Sequence, residues 1–244
     1  MNTTALPRSV RIVRIAAVLG LALLAGGPLA TRAGLIGFGP GLLACALGVL
    51  GAAIVLLATL VMLLLPALRA HRPALRRAAL LALLPVAAGV AMIAPSIGKP
   101  VIHDITTDLA DPPQFVAAPT RRGADANPLA RDTELDAAQH AGYPDLAGIA
   151  SPLAPAEALA RAAAVARGLG WEVYAEDPAQ GTLEASETTF WFRFTDDVAI
   201  RVRPDAGGSR VDLRSVSRVG KGDLGANARR IERFRAAFEN APPG

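Results

Sequence analysis

Acidic side chains are missing from the front of this chain. Before Ser96 stand eight arginines (Arg8, Arg11, Arg14, Arg32, Arg69, Arg72, Arg76 and Arg77) and not one Asp or Glu. Of the 25 basic residues, the other 17 share the remaining sequence with all 21 acidic ones, a net of −4. The overall charge of +4 and the pI near 10.0 therefore belong to the front segment, and nucleic-acid binding loses its main support. Aromatics make up 5% and charged residues 19% of the 244 positions, against 52% hydrophobic. That balance excludes a disordered chain and directs attention to membrane spans. Cysteine is limited to Cys45, which excludes a disulfide or a cysteine metal site in the rest of the chain. Catalytic signatures are also lacking: no Gly-x-Ser-x-Gly elbow occurs, and Gly220-Lys221-Gly222 fails the phosphate-loop pattern.

Three apolar runs are present. Leu42 to Leu65 and Ala78 to Gly98 carry no charge and are long enough to span a bilayer. The first run, Ile15 to Ala30, follows Arg8, Arg11 and Arg14 and is interrupted by Gly26, Gly27 and Pro28. A basic start and a short apolar stretch also fit a signal peptide, but the residues after Ala30 make a poor cleavage site, so a retained helix is expected. The spans are placed at about 12–30, 42–65 and 78–97, within a membrane domain of residues 1–98. Arg69, Arg72, Arg76 and Arg77 make the loop between the second and third spans the cytoplasmic one. The amino terminus is then inside, and three crossings carry Lys99 onward to the outer side of the membrane.

Residues 99–154, with Pro100, Pro112, Pro113, Pro119, Pro128 and Pro144, read as an extended arm with one short helix near Asp132 to Gln139. Residues 155–244 read as an α+β domain. Ala156 to Leu169 is a helix ended by Gly170, and Trp171 to Glu176 and Thr182 to Glu187 are strands. Alternation predicts a strand over Phe190, Phe192 and Phe194, a turn at Thr195-Asp196-Asp197, then strands over Val198–Val202 and Val211–Leu213. Parity sets Arg201 opposite Asp212 and Ile200 opposite Leu213. A last helix starts near Asp223, with Leu224, Ala228, Ile231, Phe234 and Phe238 inward and Arg229, Arg230 and Arg233 outward. The expected fold is α+β: three transmembrane helices, then an antiparallel sheet of about five strands covered on its Phe face by two helices.

Three groups are candidate sites. Trp191, Arg193, Arg201, Arg203 and Arg214 fall on one sheet face in this register, where guanidinium forks beside an aromatic suit a phosphate or carboxylate. The bland alternative is a solvated face, or pairing with an acidic arm laid across it. Ser215, Ser217, Arg218 and Lys221 form a polar turn feeding a helix amino terminus, an anion-binding position unless Asp223 caps it. His103, Asp104 and Asp108 offer an imidazole and carboxylates for acid–base work or a hard cation, against ordinary turn capping. No cofactor and no metal is expected.

Val101-Ile102-His103-Asp104-Ile105-Thr106-Thr107-Asp108, Asp111-Pro112-Pro113, Tyr143-Pro144-Asp145, Gly170-Trp171, Asp196-Asp197-Val198, Arg214 to Gly220 and Asp223 to Asn227 together resemble the bacterial family known as domain of unknown function 1499. The resemblance covers roughly residues 99 to 240. It implies that membrane spans ahead of the domain are familiar, and it implies no activity and no catalytic residue. The sequence thus reads as an inner-membrane protein displaying a periplasmic domain for binding or envelope maintenance, without catalysis. Its expected partners are the lipid bilayer and an anionic ligand or envelope protein. The alternative is an envelope enzyme acting on lipid or cell-wall material through His103, Asp104 and Asp108.

Overall fold

The computed structural model describes residues 6–241. Two compact units divide the chain: one runs to Pro95 and includes the loop Phe190–Arg193, the other holds Ser96–Thr189 and Phe194 onward.

The first unit is three helices, α1 (Arg8–Arg32), α2 (Phe38–Leu64) and α3 (Arg72–Ile93), each long and apolar enough to cross a membrane. Pro28 and Pro85 lie inside α1 and α3 without ending them, and Pro95 sits in a short turn after α3. The packing is the reverse of a water-soluble bundle. Small residues lie inside (Ala17, Gly20, Gly27, Gly41, Gly48, Ala52, Ala78, Ala82), while Leu47, Leu50, Ile54, Leu57 and Leu80 point outward. Large apolar side chains on the outside and close backbone approach within are what lipid as solvent favours. On α1, Gly20 and Gly27 stand two turns apart and face Gly48 and Gly41 of the antiparallel α2. A Cβ on Gly48 would come within 2.8 Å of the Gly20 carbonyl oxygen and 2.9 Å of the Leu24 nitrogen.

The second unit is built on an antiparallel sheet of β1 (Asp104–Thr106), β2 (Ile149–Ser151), β3 (Glu172–Asp177), β4 (Thr182–Thr188), β5 (Thr195–Asp205) and β6 (Gly208–Ser217). The order is β1-β6-β5-β4-β3, with β2 on the same edge of β6 as β1. The arm therefore contributes two strands and covers an edge that would otherwise expose unpaired backbone. It also carries the short helix α4 (Asp136–Gly142), whose Gln139 side chain bonds both backbone groups of Thr106. The β5–β6 hairpin has the register that parity requires: Ile200 meets Leu213, Arg201 meets Asp212, and Val202 meets Val211.

Helices α5 (Pro155–Gly168) and α6 (Ala226–Asn240) cover the face bearing Leu183, Ala185, Val198, Ile200, Val202, Val211 and Leu213. Pro155 opens α5, and Gly170 at φ +81° turns the chain into Trp171, which stacks on Phe234 at 5.5 Å. Asp223 caps α6, accepting from the Gly225 and Asn227 amides at 2.7 Å each.

Two sequence expectations fail here. The residues from Phe190 to Phe194 are not a strand: Thr188 pairs with Thr195, and the stretch between is the β4–β5 connection, with Arg193 at φ +55°. Phe190 and Trp191 are exposed, so the helices cover no phenylalanine face. The supposed turn at Thr195-Asp196-Asp197 is instead the start of β5. Periodicity went wrong because Asp196 and Asp197 are held inside by arginines distant in sequence, so a polar stretch enters the sheet while an apolar one loops out. The second failure is on α6, where Arg230 turns inward and Leu224, at φ +52°, lies outside.

Candidate ligand-binding site

On the sheet face away from α5 and α6, β5 and β6 present Asp197, Arg201, Arg203, Arg210, Asp212 and Arg214, since alternate residues share a face. The arm crosses this face and brings carboxylates to it. Arg214 grips Asp104 with two bonds, Nε to Oδ1 at 3.0 Å and Nη2 to Oδ2 at 2.7 Å, both residues buried. Arg131 of the arm reaches the same Asp104 at 3.0 Å. Arg203 donates to Asp108 and Asp111 of the arm at 2.8 Å and to Asp212 at 2.9 Å, while Arg201 contacts Asp111 at 3.1 Å and Arg210 holds Asp212 at 2.9 Å. Asp197, fully enclosed, receives a two-bond grip from Arg218 and a third bond from a second cation, Arg122, at 2.5 Å. The buried Glu184 carboxylate accepts the backbone amides of Val116, Ala117 and Ala118 at 2.7–2.8 Å. The polar face is thus an ion lattice closed by the chain itself.

A second network lies under α6. Arg230 bonds Asp196, Glu187 and the Ser215 hydroxyl, while Asn227 accepts from Ser215 and donates to Ser217 and the His103 carbonyl. Burial alone would raise the Glu187 carboxyl, but Arg230 and Arg233 outweigh it and hold it below its ordinary value. Asp108 is also held low: burial works upward, and the Asp111 amide and Arg203 overcome it. Folded values below unfolded ones mean stability that is complete above the ordinary carboxylate range and lost as pH falls through it. The thermal midpoint of the second unit is expected to hold from pH 7 to about pH 5 and to fall below about pH 4. A melting series across that range checks it, and a flat profile to pH 3 would contradict it.

The expected site residues are therefore scattered. Arg214, Ser215 and Ser217 are buried in structural networks, Arg201 and Arg203 are paired with the arm, and Lys221 is exposed in the turn before α6. Trp191 and Arg193 lie in the β4–β5 connection, off the arginine face. His103, Asp104 and Asp108 do not converge. The His103 carbonyl accepts from Ser217 and Asn227, Asp104 belongs to Arg214 and Arg131, and Asp108 to Arg203. Among the described residues, no group of three His, Cys, Asp or Glu is placed to hold a metal ion.

Of the expected residues, Arg201 lines a cleft of about 310 Å³ with Thr182 and Glu184, and Arg218 opens on a second, more polar one. About 420 Å³ in volume, the second is lined by Thr120, Arg121, Glu172, Ser186, Thr188, Thr195 and Arg218. Thr188 and Thr195 face each other across the strands with hydroxyls 2.9 Å apart. Arg121 lies over the Tyr174 ring at 4.6 Å and pairs with Glu172 at 2.5 Å. Hydroxyls that both donate and accept, beside two guanidiniums, suit a hydroxylated anion. The strand misplacement over Phe190–Phe194 hid this cleft, because Thr195 was assigned to a turn.

No curated protein matches the chain. The family model described as a protein of unknown function (DUF1499) matches residues 104–238, from β1 into α6. With more than half of its length inside that match, the chain belongs to the DUF1499 family.

Proposed function

We propose that this protein is a multi-pass inner-membrane protein whose periplasmic domain binds an anionic, hydroxyl-bearing ligand of the envelope, such as an acidic sugar, without catalysis. The cleft of Arg121, Thr188, Thr195 and Arg218 carries this reading, because it sets two guanidiniums beside several hydroxyls in one open space. The arginines of the loop before α3 support the orientation through their cytoplasmic preference.

Orientation is tested in a Cys45→Ser background with an impermeant thiol reagent. Asp145→Cys is expected to label in spheroplasts and Arg69→Cys only after lysis; the reverse pattern would sink the orientation. Binding is tested on the full chain in detergent by thermal shift against uronic acids, sugar phosphates and acidic oligosaccharides. A shift reduced about tenfold in apparent affinity by Arg121→Ala, the loss of one charge-assisted contact, is the expected result. No shift at millimolar ligand, or one indifferent to both Arg121→Ala and Thr188→Val, would remove the cleft as a site.

A further inference from the structure

The first unit holds a chemically different cleft. Between α1 and α3 lies a space of about 470 Å³ lined by Arg11, Arg14, Ile15, Val18 and Leu19 from one helix and Arg77, Ala78 and Leu81 from the other. Arg11, Arg14, Ile15 and Val18 follow the i, i+3, i+4, i+7 spacing of one helix face, so charge gives way to hydrocarbon along the groove. Leu19 is eight residues, about 12 Å, further along than Arg11. The mouth is cationic and the floor apolar.

Nothing in the helical unit can neutralise that mouth. The first acidic residue of the whole sequence is Asp104, which belongs to the other unit. Among the described residues Arg11, Arg14 and Arg77 make no ion pair. Both α1 and α3 begin on this side, and neither has an acidic residue in its first turn, so two positive helix ends add to the three guanidiniums. An occupant must bring a negative charge and an apolar chain in the order in which the groove presents them.

We propose that this cleft is a binding site for one anionic phospholipid, its phosphate held by Arg11, Arg14 and Arg77 and an acyl chain laid along Ile15, Val18, Leu19 and Leu81. Guanidinium forks match phosphate oxygens, and basic pockets between membrane helices on the cytoplasmic side are suited to acidic headgroups. The proposal rests on the membrane reading above.

The test uses the full chain purified in mild detergent and native mass spectrometry with phosphatidylglycerol and phosphatidylethanolamine of identical acyl chains. One phosphatidylglycerol per chain, retained about tenfold better than the zwitterionic lipid, is expected. Arg14→Gln with Arg77→Gln should bring the two lipids within about twofold, whereas Arg69→Gln with Arg72→Gln, outside the groove, should leave the preference intact. Val18→Trp should obstruct the floor and reduce retention with every charge in place. Equal loss in both arginine pairs would mean general attraction to basic helix ends and would overturn the site. Displacement of the lipid by millimolar inorganic phosphate, or retention indifferent to Val18→Trp, would make it a free-anion site instead. A chain that leaves the membrane fraction without detergent would sink the membrane reading itself, a result separate from any lipid ratio.

Discussion

Asp197→Asn is expected to destabilise the second unit by about 3–5 kcal/mol, the range for breaking a buried ion pair from one side. The carboxylate is wholly enclosed and is the shared counter-ion of Arg122 and Arg218, with the Tyr174 hydroxyl donating to it at 3.3 Å. An amide of the same shape removes the charge and keeps the volume, so the cost isolates electrostatics from packing. Two guanidiniums are left facing each other in a poorly hydrated place, where repulsion is weakly screened. For a unit of this size the thermal midpoint should fall by roughly 10–15 °C. Glu172→Gln is the matched control, because its pair with Arg121 is 66% and 42% exposed and should cost less than about 1 kcal/mol. Equal melting of the two variants would mean that water reaches Asp197 and that the lattice is not structural.

The parts of this fold legible in the sequence are those governed by local pattern. The spans were visible because about 20 apolar residues have few other uses, and α5 because Pro155 and Gly170 bracket an alanine-rich stretch. The β5–β6 register followed from parity alone, since a one-residue slip would send Val202 and Val211 to opposite faces. What could not be read is what non-local charge pairing decides. Asp196-Asp197 looks like a turn until Arg122, Arg218 and Arg230 are brought to it from outside β5. Arg230 looks like a surface residue on a helical wheel, since nothing near it in sequence announces Asp196 beneath the helix. The arginine face was legible as a face, but its occupancy by Asp104, Asp108 and Asp111 needed the arm's path. The hydroxyl cleft was hidden by the same misplacement, as Ser186 and Thr188 acquire Thr195 as a neighbour only when β5 begins seven residues past Thr188.

Gly27→Leu and Gly48→Leu are each expected to prevent stable association of α1 with α2, lowering the amount of intact protein in the membrane several-fold. Gly27 was the weak point of the first apolar run when read as sequence, one of three residues interrupting a hydrophobic stretch. In the fold it is a contact: a Cβ there would meet the Gly41 carbonyl oxygen at 2.5 Å, and one on Gly48 would meet backbone of Gly20 and Leu24. Backbone atoms in the middle of a helix cannot swing aside as a side-chain end can, so the helices must separate along the seam. Overpacking of this kind costs about 1–3 kcal/mol, and at the upper end when backbone is what is struck. Membrane helices have little hydrophobic drive to offset the loss, because lipid solvates their outer faces as well as a neighbour does. Gly26 and Gly51 make the control: a Cβ at either meets nothing within 4 Å, so Gly26→Leu and Gly51→Leu should be tolerated. Membrane levels and protease resistance of the four variants separate the seam from mere helix content. The same seam bears on the first span, since removal of α1 would leave Gly41 and Gly48 of α2 without the two glycines they face. An epitope tag ahead of Arg8 should therefore remain on the membrane-embedded chain, and its loss would show that α1 is removed as a leader.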